Sequence, residues 1–93
     1  MLTVIVYDIS DTTSRSHLIK RLQYYGLKRI QKSVFTGYLD LNKRLNLADE
    51  IEIYLSKDTD SIIIFPICGS CKESILLVGN ADIPQNDLTY RFL

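Results

Sequence analysis

No stretch of the 93-residue chain approaches the ~18 consecutive apolar residues that a membrane-spanning helix needs. The beginning of the sequence lacks the charged segment and the small-residue cleavage site of a signal peptide. The chain also has no internal repeat, no low-complexity run and no linker. We therefore expect a single domain over residues 1–93, in a cytoplasmic protein that has no membrane partner.

The chain has only two cysteines and one histidine. Cys68 and Cys71 form a lone CxxC motif, which could be half of a zinc site or a redox pair. Nothing else in the sequence supplies two more thiolates or a local pair of histidines, so a structural role is favoured over metal or redox chemistry. Both thiols are expected to be reduced in a cytoplasmic protein. A Gly-rich ligand loop is also missing, which disfavours a regulator that binds a small ligand.

The sequence has no net charge, which by itself argues against a nucleic-acid-binding protein. The charges are, however, unevenly distributed: residues 1–44 contain eight basic and three acidic side chains, whereas residues 45–93 contain three basic and eight acidic ones. Between Thr12 and Leu39 there are six Lys or Arg residues and no carboxylate. Such a cationic segment suits an anionic partner. A solvated helix face explains the same pattern equally well.

Hydrophobic runs and turn residues predict the order β-α-β-β-α-β-β. The predicted strands are Leu2–Tyr7, Leu27–Gln31, Ser33–Leu39, Ser61–Ile67, Ser74–Val78 and a short edge strand within Leu88–Leu93. The first predicted helix follows a cap at Thr12 or Thr13 and runs to about Tyr25, with Gly26 as its left-handed C-terminal cap. The second predicted helix is Leu41–Leu55. The first six elements match the split βαβ, ferredoxin-like arrangement, which is an α+β fold.

Two of the predicted strands are apolar at consecutive rather than alternating positions, over Leu2–Tyr7 and Ile62–Ile67. Strands of this kind need cover on both faces of their sheet. A ferredoxin-like sheet has helices on one face only, and the simplest cover for the other face is a second copy of the chain. The pattern therefore predicts a homodimer.

Asp8 and Arg15 are the first candidates for chemistry. Asp8 ends the first strand and precedes a helix N-terminus, where backbone N–H groups attract phosphate and a carboxylate can hold Mg²⁺ or another divalent cation. Capping of the helix by Asp8 or Asp11 is the simpler explanation. Arg15 lies in the core-facing arc of the first helical turn, so its guanidinium must emerge near Asp8. There it could bind phosphate or form an ion pair with either aspartate.

Further basic residues on the first helix and the following hairpin suit a phosphate backbone. His17, Lys20 and Tyr24 share the outer face of the helix, and His17 could also act as a general base. A lone exposed histidine is, however, more often non-catalytic. Tyr38, Tyr54 and Tyr90 are expected to pack with their hydroxyls at the surface. The candidate nucleic-acid-binding residues are Arg15, His17, Lys20, Arg21, Lys28 and Lys32.

Val4–Ile9, Arg15 and Gly26–Gly37 together resemble the CRISPR-associated Cas2 family. The signature of that family is a strand ending in Tyr-Asp-Ile, an arginine early in the next helix, then Gly, a basic residue, Gln and Ser-Val-Phe. Asp60–Ile67 and Ile75–Gly79 resemble its later strands. The resemblance covers nearly the whole chain apart from the second helix and the tail.

This resemblance implies a symmetric dimer of ferredoxin-like domains whose last strands cross onto the partner. It implies a divalent metal near the two Asp8 carboxylates at the dimer axis, and metal-dependent endonuclease activity on single-stranded RNA or double-stranded DNA. It also implies an alternative, non-catalytic role in CRISPR spacer acquisition. In that role the dimer is a DNA-binding adaptor that bridges subunits of the CRISPR integrase.

Residue by residue, the resemblance implies that Asp8 is the metal ligand. It makes Arg15, Arg29 and Phe35 the supporting residues of the catalytic cleft. Many members have a second arginine two residues after the first, and His17 stands at that place here, so phosphate binding there would be weaker or would depend on pH. The sequence does not decide between RNA and DNA or whether cleavage matters in the cell.

Overall fold

The computed structural model describes residues 1–78 and 91–92, which form a small α+β fold with a four-stranded antiparallel sheet. The strands of this sheet are β1 (Leu2–Asp8), β2 (Lys28–Gln31), β3 (Val34–Tyr38) and β4 (Ser61–Ile67). The helices within the described residues are α1 (Thr12–Tyr24), α2 (Leu41–Ile51) and the single turn α3 (Gly69–Lys72). The remaining strands, β5 (Leu76–Leu77) and β6 (Arg91–Phe92), form a separate parallel pair.

The sheet has the strand order β2-β3-β1-β4, which makes β1 a central strand. Ile5 in the middle of β1 is paired with Phe35 of β3 on one side and with Ile64 of β4 on the other. Asp8 at the end of β1 is paired with Ser61, the first residue of β4. The loop that follows β1 and the loop that precedes β4 therefore lie side by side at the same end of the sheet.

The core lies between one face of the sheet and the two long helices. The side chains at its centre have no exposed surface: Ile5, Leu18, Leu22, Phe35 and Leu47. Leu18 and Leu22 are four residues apart on α1, so they lie on the same side of that helix. The left-handed cap predicted after α1 is confirmed, because Gly26 has a φ of 83°.

The opposite face of the sheet is apolar and partly exposed. Ile63 and Phe65 of β4 have 49% and 45% of their surface exposed, and their partners on β1, Val6 and Val4, are half-buried. These residues account for the consecutive apolar positions of the sequence: alternate residues face the helices and the open side. We name this surface the open face.

The second helix is shorter than predicted. The α-helix ends at Ile51 rather than at Leu55, and a 3-10 turn over Glu52–Tyr54 follows it. The tighter turn is closed by a hydrogen bond of 3.1 Å from the Leu55 amide to the Glu52 carbonyl. This turn places Tyr54 against α1 instead of continuing the helix past it.

The chain after β4 differs from the prediction in two respects. Residues 69–72 form the unpredicted turn α3, and β5 covers two residues instead of the predicted Ser74–Val78. Of the predicted edge strand within Leu88–Leu93, only the strand residues 91–92 are described. Within the described ranges, no helix is long and apolar enough to span a bilayer.

Candidate functional site

The carboxyl end of β1 opens on a cleft of about 290 Å³, which we name the Asp8 cleft. It is bounded by the end of β1, the first turn of α1 and the β2–β3 hairpin. Its lining residues are Tyr7, Asp8, Ile9, Arg15, Arg29, Lys32 and Ser33. Three residues that the sequence suggested for catalysis, Asp8, Arg15 and Arg29, therefore meet in one cavity although they come from different elements.

Asp11, rather than Asp8 or a threonine, caps α1. The Asp11 carboxylate accepts a hydrogen bond of 2.8 Å from the Ser14 amide, and this bond lowers the pKa of Asp11. The structure therefore confirms Asp11, one of the two aspartates that the sequence suggested as the cap, and the alternative cap at Thr12 or Thr13 was wrong. Because Asp11 satisfies the helix end, the exposed carboxylate of Asp8 remains directed to the cleft.

Asp60 fixes the loop between Asp8 and α1, and the sequence analysis did not identify it. One carboxylate oxygen accepts the amide and hydroxyl of Ser10 at 3.1 and 3.0 Å. The other accepts the amide and hydroxyl of Ser56 at 3.0 and 3.1 Å and the Lys57 amide at 3.2 Å. The amides of Ser56 and Ser10 are the main reason that the pKa of Asp60 lies far below its usual range.

Arg15 is held by the backbone rather than by a carboxylate. Its Nη1 donates to the Ile9 carbonyl at 3.1 Å, and its Nη2 lies 3.5 Å from the Thr12 hydroxyl. Within residues 1–78 and 91–92, the ion pair found is between Arg21 and Glu50, so neither Asp8 nor Asp11 pairs with Arg15. The Arg15 charge is therefore positioned at the cleft without being neutralised there.

Arg29 is fixed in a similar way on the other wall. Its Nε and Nη2 donate to the Lys32 carbonyl at 3.2 and 2.9 Å, and Nη2 also donates to the Tyr7 hydroxyl at 3.3 Å. The guanidinium carbon lies 5.8 Å from the centre of the Phe35 ring. Phe35 itself is fully buried, so its contribution to the cleft passes through Arg29 and not through a surface of its own.

A second concave surface lies on the outer side of α1. It measures about 470 Å³ and is lined by His17, Lys20, Arg21, Tyr24 and Tyr54. We name it the outer groove. The structure thus separates the six candidate nucleic-acid-binding residues. Arg15 and Lys32 line the Asp8 cleft, three line the outer groove, and Lys28 is exposed on β2 and lines neither.

Comparison with known proteins gives a family for this arrangement. The family described as CRISPR associated protein Cas2 matches residues 1–75. The chain belongs to the Cas2 family. The matched region includes Val4–Ile9, Arg15, Gly26–Gly37 and Asp60–Ile67 of the sequence resemblance, and also the complete Asp8 cleft; it ends at Ile75.

Individual Cas2 relatives match most of the chain. A protein named CRISPR-associated endoribonuclease Cas2 1, from Archaeoglobus fulgidus, is 40% identical over 83 residues, which cover 89% of this chain and 88% of the relative. A protein named CRISPR-associated endonuclease Cas2 2, from Thermus thermophilus, is 37% identical over 84 residues, which cover 90% and 88%. The solved structure of the hypothetical protein TT1823 from Thermus thermophilus has a TM-score of 0.76, 32% identity, and coverage of 90% and 96%.

A divalent cation in this Cas2-family chain would find one carboxylate at the cleft. Among the described residues no group of three or more His, Cys, Asp or Glu side chains could hold a metal ion. Mg²⁺ keeps several of its waters in proteins and is often bound through one or two carboxylates. Asp8, exposed and in no ion pair within the described ranges, fits such a ligand.

The CxxC motif has a local explanation. Cys68 caps α3, and its Sγ accepts the Cys71 amide at 3.4 Å. This hydrogen bond lowers the pKa of Cys68, and the neighbouring thiol of Cys68 raises the pKa of Cys71. Both cysteines are free and exposed. The pair terminates β4 with a capped turn and lines neither of the two cavities.

Proposed function

We propose that this chain is a CRISPR-associated endonuclease that hydrolyses phosphodiester bonds at the Asp8 cleft, with a divalent cation. What supports the proposal most is the meeting of one exposed carboxylate with two backbone-anchored guanidiniums in a cavity of about 290 Å³. The names of the relatives, endoribonuclease and endonuclease, agree with a nuclease and leave RNA and DNA both open as substrates.

The roles follow from the contacts. Asp8 holds the cation, which when bound would polarise the phosphodiester and activate a water molecule. Arg15 and Arg29 bind the phosphate oxygens and stabilise the negative charge that develops on them, because their orientations are already set by backbone carbonyls. Tyr7 contributes indirectly: its hydroxyl donates to the Lys32 carbonyl at 3.1 Å and accepts from Arg29. Phe35 supports Arg29 because the Arg29 guanidinium lies over the face of the Phe35 ring.

We also propose that the active form is a homodimer of ferredoxin-like domains, one per chain of 93 residues. Two observations support it: the order β2-β3-β1-β4 is that of a split βαβ sheet, and the open face exposes Ile63 and Phe65. Asp8 is two residues after Val6 and four after Val4 on β1, so its side chain lies on the same side of the sheet as theirs, which is the open face. A partner on this face would bring a second Asp8 toward the first.

The direct test compares Asp8→Asn with Asp49→Asn, an equal charge change at an exposed position of α2. Wild type and Asp49→Asn are expected to cut RNA or DNA with Mg²⁺ and to stop when the metal is chelated. Asp8→Asn is expected to lose cleavage while it binds the same substrate as well as before, or better, because one negative charge is gone. Cleavage by Asp8→Asn at the wild-type rate would refute the assignment.

A second function, a non-catalytic adaptor that holds duplex DNA between integrase subunits, is favoured by the basic surface outside the cleft. Lys20 and Lys28 are exposed, and neither side chain lines the Asp8 cleft. Both functions use this surface, but only the nuclease needs the cleft. Wild-type protein that binds duplex DNA firmly and shows no metal-dependent cleavage would select the adaptor.

A further inference from the structure

The outer groove combines aromatic rings with positive charge in a cavity large enough for a ligand. Its volume of about 470 Å³ is within the range of small-ligand sites, which is roughly 300–1,000 Å³. Four of its five lining residues, His17, Lys20, Arg21 and Tyr24, come from α1, and Tyr54 comes from the 3-10 turn after α2. The groove is therefore a junction between two elements.

The outer groove is separate from the Asp8 cleft. Arg15 lines the cleft and His17 lines the groove, and residues two apart on a helix project about 200° apart around its axis. The two cavities thus lie on different sides of α1 and share no lining residue. A ligand in the groove does not occupy the proposed catalytic position.

The two tyrosines of the groove differ in exposure: Tyr24 is largely exposed, whereas Tyr54 is half-buried and packs against the core. Tyr24 is 78% exposed, and the Arg21 guanidinium carbon lies 5.0 Å from the centre of its ring. The rings of Tyr54 and His17 have their centres 6.3 Å apart at an interplanar angle of 57°, so they do not stack face to face. The core does not need a tyrosine as exposed as Tyr24, whereas a stacking platform does.

The cations of the groove are loosely held. Lys20 is exposed, and within residues 1–78 and 91–92 it makes no hydrogen bond or ion pair. Arg21 approaches Glu50 at 3.7 Å, with side chains that are 39% and 44% exposed. Exposed pairs of this kind are weak and exchange readily for a stronger anionic partner. A phosphate would find two donors here.

We propose that the outer groove is a subsite for one unpaired nucleotide, with its base stacked on Tyr24 and Tyr54 and its phosphate bound by Lys20 and Arg21. The inference rests on the proposed function in that the nucleotide belongs to the nucleic acid that the protein handles. Bases inside a duplex are already stacked on their neighbours, so the groove selects a single-stranded segment. Stacking on an aromatic ring accepts any base, and the site therefore recognises single-strandedness and not sequence.

The test measures the binding of two fluorescent single-stranded oligonucleotides of equal length. The first consists of thymidine throughout, and the second is the same strand with abasic residues in place of the central thymidines. Wild-type protein is expected to bind the thymidine strand about tenfold more tightly, which is the order expected for stacking of one base. Tyr24→Ala removes a mostly exposed ring and should abolish this preference. Tyr24→Phe keeps the ring and should retain it.

Lys20→Ala serves as the matched contrast, because it removes a phosphate contact and no ring. It should weaken binding of both oligonucleotides by the same factor and leave the preference intact. Tyr54→Phe, which keeps a ring that packs against the core, should behave as Tyr24→Phe does. Thermal melting of each variant checks that the fold is retained.

Three results would overturn the subsite: equal binding of both strands by wild type, a base preference that survives in Tyr24→Ala, or displacement of the strand by an acidic peptide better than by a free oligonucleotide. These results leave the proposed nuclease untouched, because cleavage is read out from Asp8→Asn. Conversely, wild-type protein that shows the base preference but no metal-dependent cleavage removes the nuclease and keeps the subsite.

Discussion

The Asp8 cleft and the outer groove are both lined by cationic side chains, but they hold these charges differently. Arg15 and Arg29 donate to backbone carbonyls at 2.9–3.2 Å, so their positions are set by the fold. Lys20 has no such anchor within the described residues, and Arg21 has only a surface carboxylate at 3.7 Å. Fixed charges suit a reaction, since they need no reorganisation when charge develops. Loose charges suit a flexible strand.

The largest difference in effect between the Asp8 cleft and the outer groove is expected from a variant that breaks the proposed dimer. Phe65→Glu places a charge on the open face, where Phe65 is 45% exposed, and should convert the protein to a monomer of 10.7 kDa. Cleavage should be lost because the second Asp8 is no longer supplied, whereas base stacking in the outer groove should persist. Light scattering and the two binding assays measure these effects.

Leu45→Glu is the control for this variant, since Leu45 is a 56% exposed apolar residue on α2, outside the sheet. It should remain dimeric and active. Truncation before Leu88 should weaken the dimer as well if the tail pairs with the partner. Wild-type protein that is a stable monomer at micromolar concentration would contradict the proposed assembly.

The next largest effect is expected from Arg15→Ala. Loss of one positioned donor to a developing oxyanion costs roughly a hundredfold or more in rate. Cleavage should therefore fall by about this factor, with a smaller loss of binding, while the base preference of the outer groove is unchanged. Single-turnover cleavage kinetics measure the rate. Lys43→Ala, an exposed cation on α2, controls for net charge. A rate within twofold of wild type would remove Arg15 from the catalytic role.

A smaller and uniform effect is expected when both loose cations are removed. Lys20→Ala combined with Arg21→Ala should weaken binding to every nucleic-acid sequence, because phosphate contacts carry no sequence information. The slope of log K against log salt should become shallower by about two, since each lost contact removes roughly one released counterion. Titrations at several salt concentrations measure the slope. An unchanged slope would mean that neither cation contacts phosphate.

The smallest effect is expected from Asp60→Asn, which changes the stability of the loop that Asp60 holds and the dependence of that stability on pH. The pKa of Asp60 is far lower in the folded chain than in an unfolded one, where it lies near ~3.9. Its contribution to stability is therefore complete above pH ~4 and is lost as the pH falls toward the folded pKa. Asp60→Asn should have a lower melting temperature than wild type at pH 7, and the difference should shrink below pH ~4.

Melting curves at pH 7 and pH 3 test this, with Asp58→Asn as an exposed neighbouring control. A constant difference between Asp60→Asn and wild type at both pH values would show that the Asp60 charge is not what holds the loop. Because the loop leads from Asp8 to α1, Asp60→Asn should also slow cleavage at neutral pH.

Much of the fold was predictable because it rests on local patterns. The apolar runs gave β1 and β4 to within one residue, and Gly26 marked the end of α1 through its freedom to adopt positive φ. The end of α2 was not predictable in the same way. Whether the chain continues as an α-helix past Ile51 or tightens into a 3-10 turn depends on packing against α1, which sequence periodicity does not report.

The candidate site shows the same division. The family resemblance and the strand end identified Asp8, Arg15 and Arg29, and the structure brings them together in one cleft. Asp60 was missed because two of its five hydrogen bonds come from Ser10, which is 50 residues away in the sequence. One signal could have identified Asp60. It directly precedes β4, and β4 pairs antiparallel with β1, which ends two residues before the polar Ser10.

The sequence by itself determined the class of the protein, the order of its main elements and the charge asymmetry that suits an anionic partner, because each depends on neighbouring residues or on a recognisable run of them. Only the tertiary structure decided which cations are fixed and which are loose. Arg15 and Lys20 are both basic residues of the same helix. Their difference arises from what the fold places beside them: the Ile9 carbonyl in one case and the outer groove in the other.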